Sequence, residues 1–134
     1  MSNESTRTAI VTGSSRGIGA AIAQRLARDG FTVVVNYAGN ATEAEALVAK
    51  IKQNDDRALG VQADVSDPAA MRRMFDQAAA VSGGVDVLVN NAGIMLLSTI
   101  ADAEDAMFDR QVAVNLKGVF NESLRIPKLV LLQV

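Results

Sequence analysis

Along the chain, short apolar runs alternate with longer stretches whose apolar positions recur every three or four residues. The runs are residues 8–11 (TAIV), 32–35 (TVVV), 58–63 (ALGVQA) and 85–89 (VDVLV). Continuous apolar, β-branched runs of this length predict strands, and 32–35 reads as one buried on both faces. Between the runs, Ile18, Ala21, Ile22 and Leu26 share one helical face. The same spacing recurs at Ala44, Leu47, Val48 and Ile51, and again at Met71, Met74, Phe75 and Ala78. Gly30 sits where a first helix would end, and Thr42 with Glu45 has the spacing of a capping box for a second. Ser66-Asp67-Pro68 reads as a cap followed by proline in the first turn of a third helix, and Gly83-Gly84 breaks the chain before the fourth strand. After Gly93 a looser apolar segment, 94–100, precedes a helix predicted over about 102–125.

Strands alternating with helices predict an α/β fold: a doubly wound parallel sheet in three layers, with helices on both faces. Right-handed crossovers restrict the strand order to 3-2-1-4. Pro127 would stop the last helix at about Ile126, and residues 128–134 are rich enough in leucine and valine to form a short fifth strand. No repeat, linker or low-complexity segment divides the 134 residues, so a single domain is expected.

Composition narrows the function. Hydrophobic residues make up 49% and charged residues 21%, the balance of a globular protein. A net charge of −2 gives no broad basic footprint for nucleic acid. Cysteine and histidine are both absent, which removes disulfides, thiolate metal sites and the commonest general base. The polar opening MSNESTRT does not read as a signal peptide, and no apolar run approaches a membrane span, so a cytoplasmic protein is expected.

Residues 12–19 read TGSSRGIG and join the first strand to the first helix. In an open parallel sheet, ligands bind beyond the carboxyl ends of the strands. A helix N-terminus there offers unpaired N–H groups and the positive end of a dipole, suited to a phosphate. Gly13, Gly17 and Gly19 would let the backbone turn sharply and approach an anion. The plain alternative is a tight strand-to-helix turn with no ligand. The G-x-x-x-G-x-G spacing differs from the common G-x-G-x-x-G fingerprint, and no Lys-Ser or Lys-Thr follows the last glycine as a Walker loop requires.

This loop resembles the T-G-x-x-x-G-x-G loop of the short-chain dehydrogenases/reductases, and three further motifs follow in that family's order. They are Asp64-Val65 after the third strand, Asn90-Asn91-Ala92-Gly93 after the fourth, and Asn115 within Val114-Asn115-Leu116-Lys117-Gly118. The resemblance covers about residues 7–121, and its general look is that of 3-oxoacyl-carrier-protein reductases and related carbonyl reductases. It implies a Rossmann-type domain that binds a nicotinamide dinucleotide through Gly13, Ser15, Arg16, Gly17, Ile18 and Gly19. It further implies contacts from Asn36, Tyr37, Asp64 and Val65 at the adenine end, and from Asn91, Ala92, Gly93 and Val114. It assigns Asn115 to the catalytic relay, where the family's asparagine holds a helix distortion and a water. The local alternatives are plainer: Asn90 and Asn91 as side-chain ties between strands, and Asn115 as a polar residue satisfied within a helix.

NAD-binding relatives usually carry an acidic residue at the end of the second strand, on the ribose hydroxyls. This chain has Asn36 there and Arg16 in the glycine loop, where a guanidinium can grip a 2′-phosphate, so NADP is the expected cofactor. The family's chemistry also needs a serine and a Tyr-x-x-x-Lys motif. The single tyrosine, Tyr37, is followed four residues later by Ala41, so that motif is absent. The resemblance therefore implies NADPH-dependent hydride transfer on a small carbonyl or alcohol by a longer, complete form, with this truncated chain inactive. The alternative is a non-catalytic dinucleotide-binding or oligomerisation module.

Residues 122–134 depart from the family pattern. They are either a foreign ending or a shortened helix that delivers a fifth strand. A homo-oligomer is expected on two grounds. The strand at 85–89 would lie at a sheet edge, and Val112, Leu116, Val119, Phe120 and Ser123 fall near one stripe of a helix that packs across a subunit interface in the family.

Overall fold

The computed structural model describes residues 7–126, and the backbone of residues 130–133. The elements run β1 (Thr8–Val11), α1 (Gly17–Arg28), β2 (Thr32–Tyr37), α2 (Ala41–Gln53), β3 (Arg57–Gln62), α3 (Pro68–Ser82), β4 (Val87–Asn90), α4 (Asp105–Val112), α5 (Gly118–Ser123) and β5 (Val130–Gln133). All strand pairs are parallel, and the order is β3-β2-β1-β4-β5. The chain winds outward from β1 to β3, then returns to start β4 on β1's other side, which creates a switch point between β1 and β4.

Side chains alternate across the pleat, so each central strand feeds two cores. Ile10, Val34 and Leu88 meet Met71, Met74, Phe75 and Ala78 of α3 on one face. Ala9, Val11, Val33, Val35, Val87 and Val89 meet α1 and α2 on the other. Burial on both faces explains why these strands read as unbroken apolar runs.

The boundaries differ from the sequence expectation for local reasons. β2 continues to Tyr37 because its ladder with β3 extends to Tyr37 opposite Gln62. β4 begins at Val87, because the Asp86 carboxylate instead accepts the Thr8 N–H at 2.8 Å. The Thr42–Glu45 capping box does not form. Asn40 caps α2 by accepting the Glu43 N–H, which places Thr42 inside the first turn. Asp67 caps α3 as its sequence suggests, with Pro68 first in the helix.

The helix expected over 102–125 is three pieces after a short 3-10 turn at Ile100–Asp102: α4, a π turn at Ala113–Lys117, and α5. A π turn carries more residues than an α turn. The exposed apolar row accordingly follows every fourth residue, through Phe108, Val112, Leu116, Phe120 and Leu124. Val119 is only half-exposed and the Ser123 hydroxyl is buried, so neither belongs to that row. β5 occupies the fifth slot, pairing Val130–Gln133 with Val87–Asn90, so β4 is an interior strand and not the open edge expected. The remaining positions of the expected last strand, 128, 129 and 134, lie outside the described residues, as do residues 1–6. Among the described residues, no helix is long and apolar enough to cross a membrane.

One buried acid stands out in α5. Glu122 is 1% exposed, its Oε2 has no hydrogen-bond partner among the described residues, and burial pushes its carboxyl up from 4.5 to about 8. Between those two values the folded chain holds a proton that the unfolded chain releases, so stability is full below pH 4.5 and falls as pH rises through 8. Urea titrations at pH 5 and pH 8 should show this loss. Glu122→Gln should flatten it, with a gain at pH 8 on the order of a few kcal/mol.

Candidate functional site

The switch point between β1 and β4 is closed by one threonine. Thr12 is fully buried where β1 ends, and its N–H donates to the Val89 carbonyl at 3.1 Å. Its hydroxyl oxygen accepts the N–H groups of Asn91 at 3.1 Å and Ala92 at 3.0 Å. The Asn91 amide returns the tie, donating to the carbonyls of Thr12 and Gly13, each at 3.0 Å. The loops after β1 and β4 are thereby fixed against each other.

That fit is why the glycines are needed. Gly13 has φ +60°, and a Cβ there would lie 2.9 Å from the Ala92 Cα. A Cβ on Gly19 would run into the Asn91 amide and the Gly13 carbonyl. Asn36 locks the loop from the other side. Its Oδ1 accepts the Gly13 N–H at 3.1 Å, while its Nδ2 donates to the carbonyls of Val61 and Ala63 at 3.3 and 3.1 Å. The resemblance implies a cofactor contact from Asn36 at the adenine end. The structure shows its side-chain amide donating to β3 at Val61 and to Ala63 just beyond it.

The loop delivers α1 with its N-terminus open. The first ladder bond is Ala20 N–H to the Arg16 carbonyl, so the N–H groups of Gly17, Ile18 and Gly19 lie ahead of it. Arg16 holds the cap position without a side-chain cap, and the first turn contains no acid. The other two long helices are capped by Asn40 and Asp67. Arg16 is exposed and makes no hydrogen bond or ion pair among the described residues. An uncapped helix start beside an exposed guanidinium concentrates positive potential at this place.

This N-terminus opens onto a cleft of about 520 Å³. Of the site residues named from the sequence, Gly13, Ser15, Arg16, Gly17, Ile18, Asn36, Tyr37, Asp64, Val65, Asn91, Ala92, Gly93 and Val114 line it together. Gly19 and Asn115 do not. Gly19 is buried against Asn91, and Asn115 lines a neighbouring recess with Gly93 and Ile94. Its Oδ1 accepts the Ile94 N–H and its Nδ2 donates to the Ile94 carbonyl, both at 2.8 Å, from within the π turn. A helix distortion at Asn115 is therefore present.

Sequence reasoning missed Ala38, Gly39 and Asn40 after β2, Ala63, Ile94 and Arg110. Arg110 stands one helical turn before Val114, a spacing that would have pointed to the same face. Its Nη2 donates to Asp64 Oδ2 and its Nη1 to Ser66 Oγ, each at 3.0 Å. Partial burial pushes the Asp64 carboxyl up. The hydroxyl and N–H of Ser66 and the Arg110 guanidinium outweigh it and hold the group below its usual range. Among the described residues no cluster of three acidic side chains is arranged for a metal ion.

Thr12→Val removes the shared acceptor and strands two N–H groups, so unfolding free energy should fall by roughly 1–3 kcal/mol in urea, while Thr12→Ser should stay near wild type. Equal stability of the valine variant would show that the latch does not depend on the hydroxyl.

Comparison with known proteins covers nearly all of this architecture. The family described as short chain dehydrogenase matches residues 7–130. The short chain dehydrogenase claC of Passalora fulva is 43% identical over 114 residues, which are 85% of this chain and 43% of that protein. The 3-oxoacyl-(acyl-carrier-protein) reductase FabG of Staphylococcus aureus is 43% identical over 87% of this chain and 47% of its own. A crystal structure of a short chain dehydrogenase from Burkholderia cenocepacia in complex with NADP superposes with a TM-score of 0.86 at 44% identity, covering 91% of this chain and 49% of that one. The chain thus spans less than half the length of these proteins.

Proposed function

We propose that this chain, which belongs to the short-chain dehydrogenase family, binds NADP(H) in the cleft above β1, β2 and β4 and acts in the cytoplasm. The observation that carries the reading is the uncapped start of α1 with Arg16, unpaired among the described residues, beside it. The backbone fits the group: the Gly17–Gly19 N–H groups suit a pyrophosphate, Arg16 a 2′-phosphate, and Asp64 and Val65 the adenine end. Asn91, Ala92, Gly93 and Val114 form the rest of the wall. The end of β2 carries Asn36 and Tyr37, so no carboxylate repels a 2′-phosphate there. The relative solved with NADP bound supports the same cofactor.

Bound NADPH supplies a hydride for a carbonyl. Asn115 contributes by fixing the backbone at Ile94, and the chain has no Tyr-x-x-x-Lys to supply the proton. Carbonyl or alcohol turnover is accordingly proposed for a form that carries that motif. This chain by itself acts as a dinucleotide-binding module. An assay with NADPH and a panel of small ketones is expected to show no turnover, and steady reduction would overturn that part. Calorimetry should show Arg16→Ala weakening NADPH by roughly 1–3 kcal/mol, the worth of a charge-assisted hydrogen bond, with NADH nearly unchanged.

The row Phe108, Val112, Leu116, Phe120 and Leu124 is exposed throughout, with Phe108, Leu116, Phe120 and Leu124 each at least 60% accessible. An apolar stripe of this length suits a second copy of the chain. Sedimentation velocity at micromolar concentration should show a dimer or larger species that Leu116→Glu converts to monomer.

A further inference from the structure

Helix α4 buries no side chain. Few bonds hold it to the rest of the molecule. Gln111 Oε1 accepts the Leu96 N–H at 3.2 Å, within the adjoining loop. Arg110 reaches across the cleft to the loop after β3, and it is the one residue of α4 that lines the cleft. Its two terminal nitrogens take different acceptors, Ser66 Oγ and Asp64 Oδ2, which fixes the guanidinium plane as well as its position. Four residues on, Val114 is buried in the cleft wall, and Asn115 follows with its double bond to the Ile94 backbone.

We propose that Arg110 is a positioning residue: it pins the otherwise uncovered α4 to the Asp64–Ser66 loop, and so closes the cleft wall and sets Val114 and Asn115 for a bound dinucleotide. Arg110 lies about 200° around the helix from both Phe108 and Val112. Covering the apolar row by another chain would therefore leave the Arg110 bridge in place and would not replace it. Lysine presents one compact ammonium in place of a planar fork, so it is expected to hold one acceptor and lose the fixed plane. The coupling to a ligand rests on the dinucleotide reading of the cleft; the pinning of α4 does not.

Hydrogen exchange on the full chain, with and without NADPH, tests both parts. In the free protein, Arg110→Ala should exchange several-fold faster than wild type over residues 105–112, with β1 and β2 unchanged and Arg110→Lys intermediate. With saturating NADPH, residues 105–112 should gain protection in wild type and not in Arg110→Ala, while residues 17–19 are protected in both. The dissociation constant should rise about tenfold in the alanine variant, the loss of one charged contact. Equal exchange over 105–112 in the free proteins, or equal NADPH protection there, would overturn the proposal. Absence of protection at 17–19 in wild type would instead defeat the dinucleotide reading, and the free-protein comparison would still judge Arg110. Should Arg110→Ala also lose protection in β1 and β2, Ser66→Ala decides: faster exchange confined to 105–112 supports the pin, and none overturns it.

Discussion

Two strands from opposite halves of the winding end side by side, and the Thr12 hydroxyl is what they share. It accepts two successive N–H groups from the loop after β4, while the Asn91 amide answers by donating to two successive carbonyls of the loop after β1. This exchange leaves no room for a side chain at Gly13 or Gly19. It also fixes where α1 starts, and therefore where its unpaired N–H groups face. A cleft whose floor is backbone needs such a fastening, because loop backbone without partners would otherwise relax toward water.

The electrostatics of the cleft follow from that placement. At one wall, α1 begins with a cation and no cap. At the other, Asp64 is held as a carboxylate by Ser66 and Arg110, its charge largely balanced in place. The anion-accepting end follows β1 and the anion-bearing end follows β3, with β2 between them in the sheet, and both line one cleft. Asn36 joins the two ends mechanically, tying the Gly13 N–H to the end of β3.

The strands, the parallel order and most of the cleft wall were legible in the sequence, because burial on both faces erases polar alternation and because the glycine loop and the N-N-A-G turn are local patterns. Other features were less so. The break in the helix over 102–125 is invisible to helical periodicity and was expected only through the family's asparagine, which Asn115 matches; the structure adds its two bonds to Ile94, 21 residues away in sequence. Asn36 looked like a strand-end residue facing a ligand, but the carbonyls of Val61 and Ala63 turn its amide inward. Arg110 carries no local signal of a role; only the fold brings Asp64 and Ser66 within its reach. The fifth strand stood open between two accounts, and pairing with β4 settled the slot.

On the dinucleotide reading proposed above, the loop fastened by Thr12 aims the leading N–H groups of α1 at a phosphate. Backbone amide chemical shifts during titration with NADPH test it most directly. The shifts should be saturable and largest at Gly17, Ile18 and Gly19, accompanied by Asn91, Ala92 and Gly93. Saturable binding that leaves residues 17–19 unmoved, or no saturable shift at all, would contradict it.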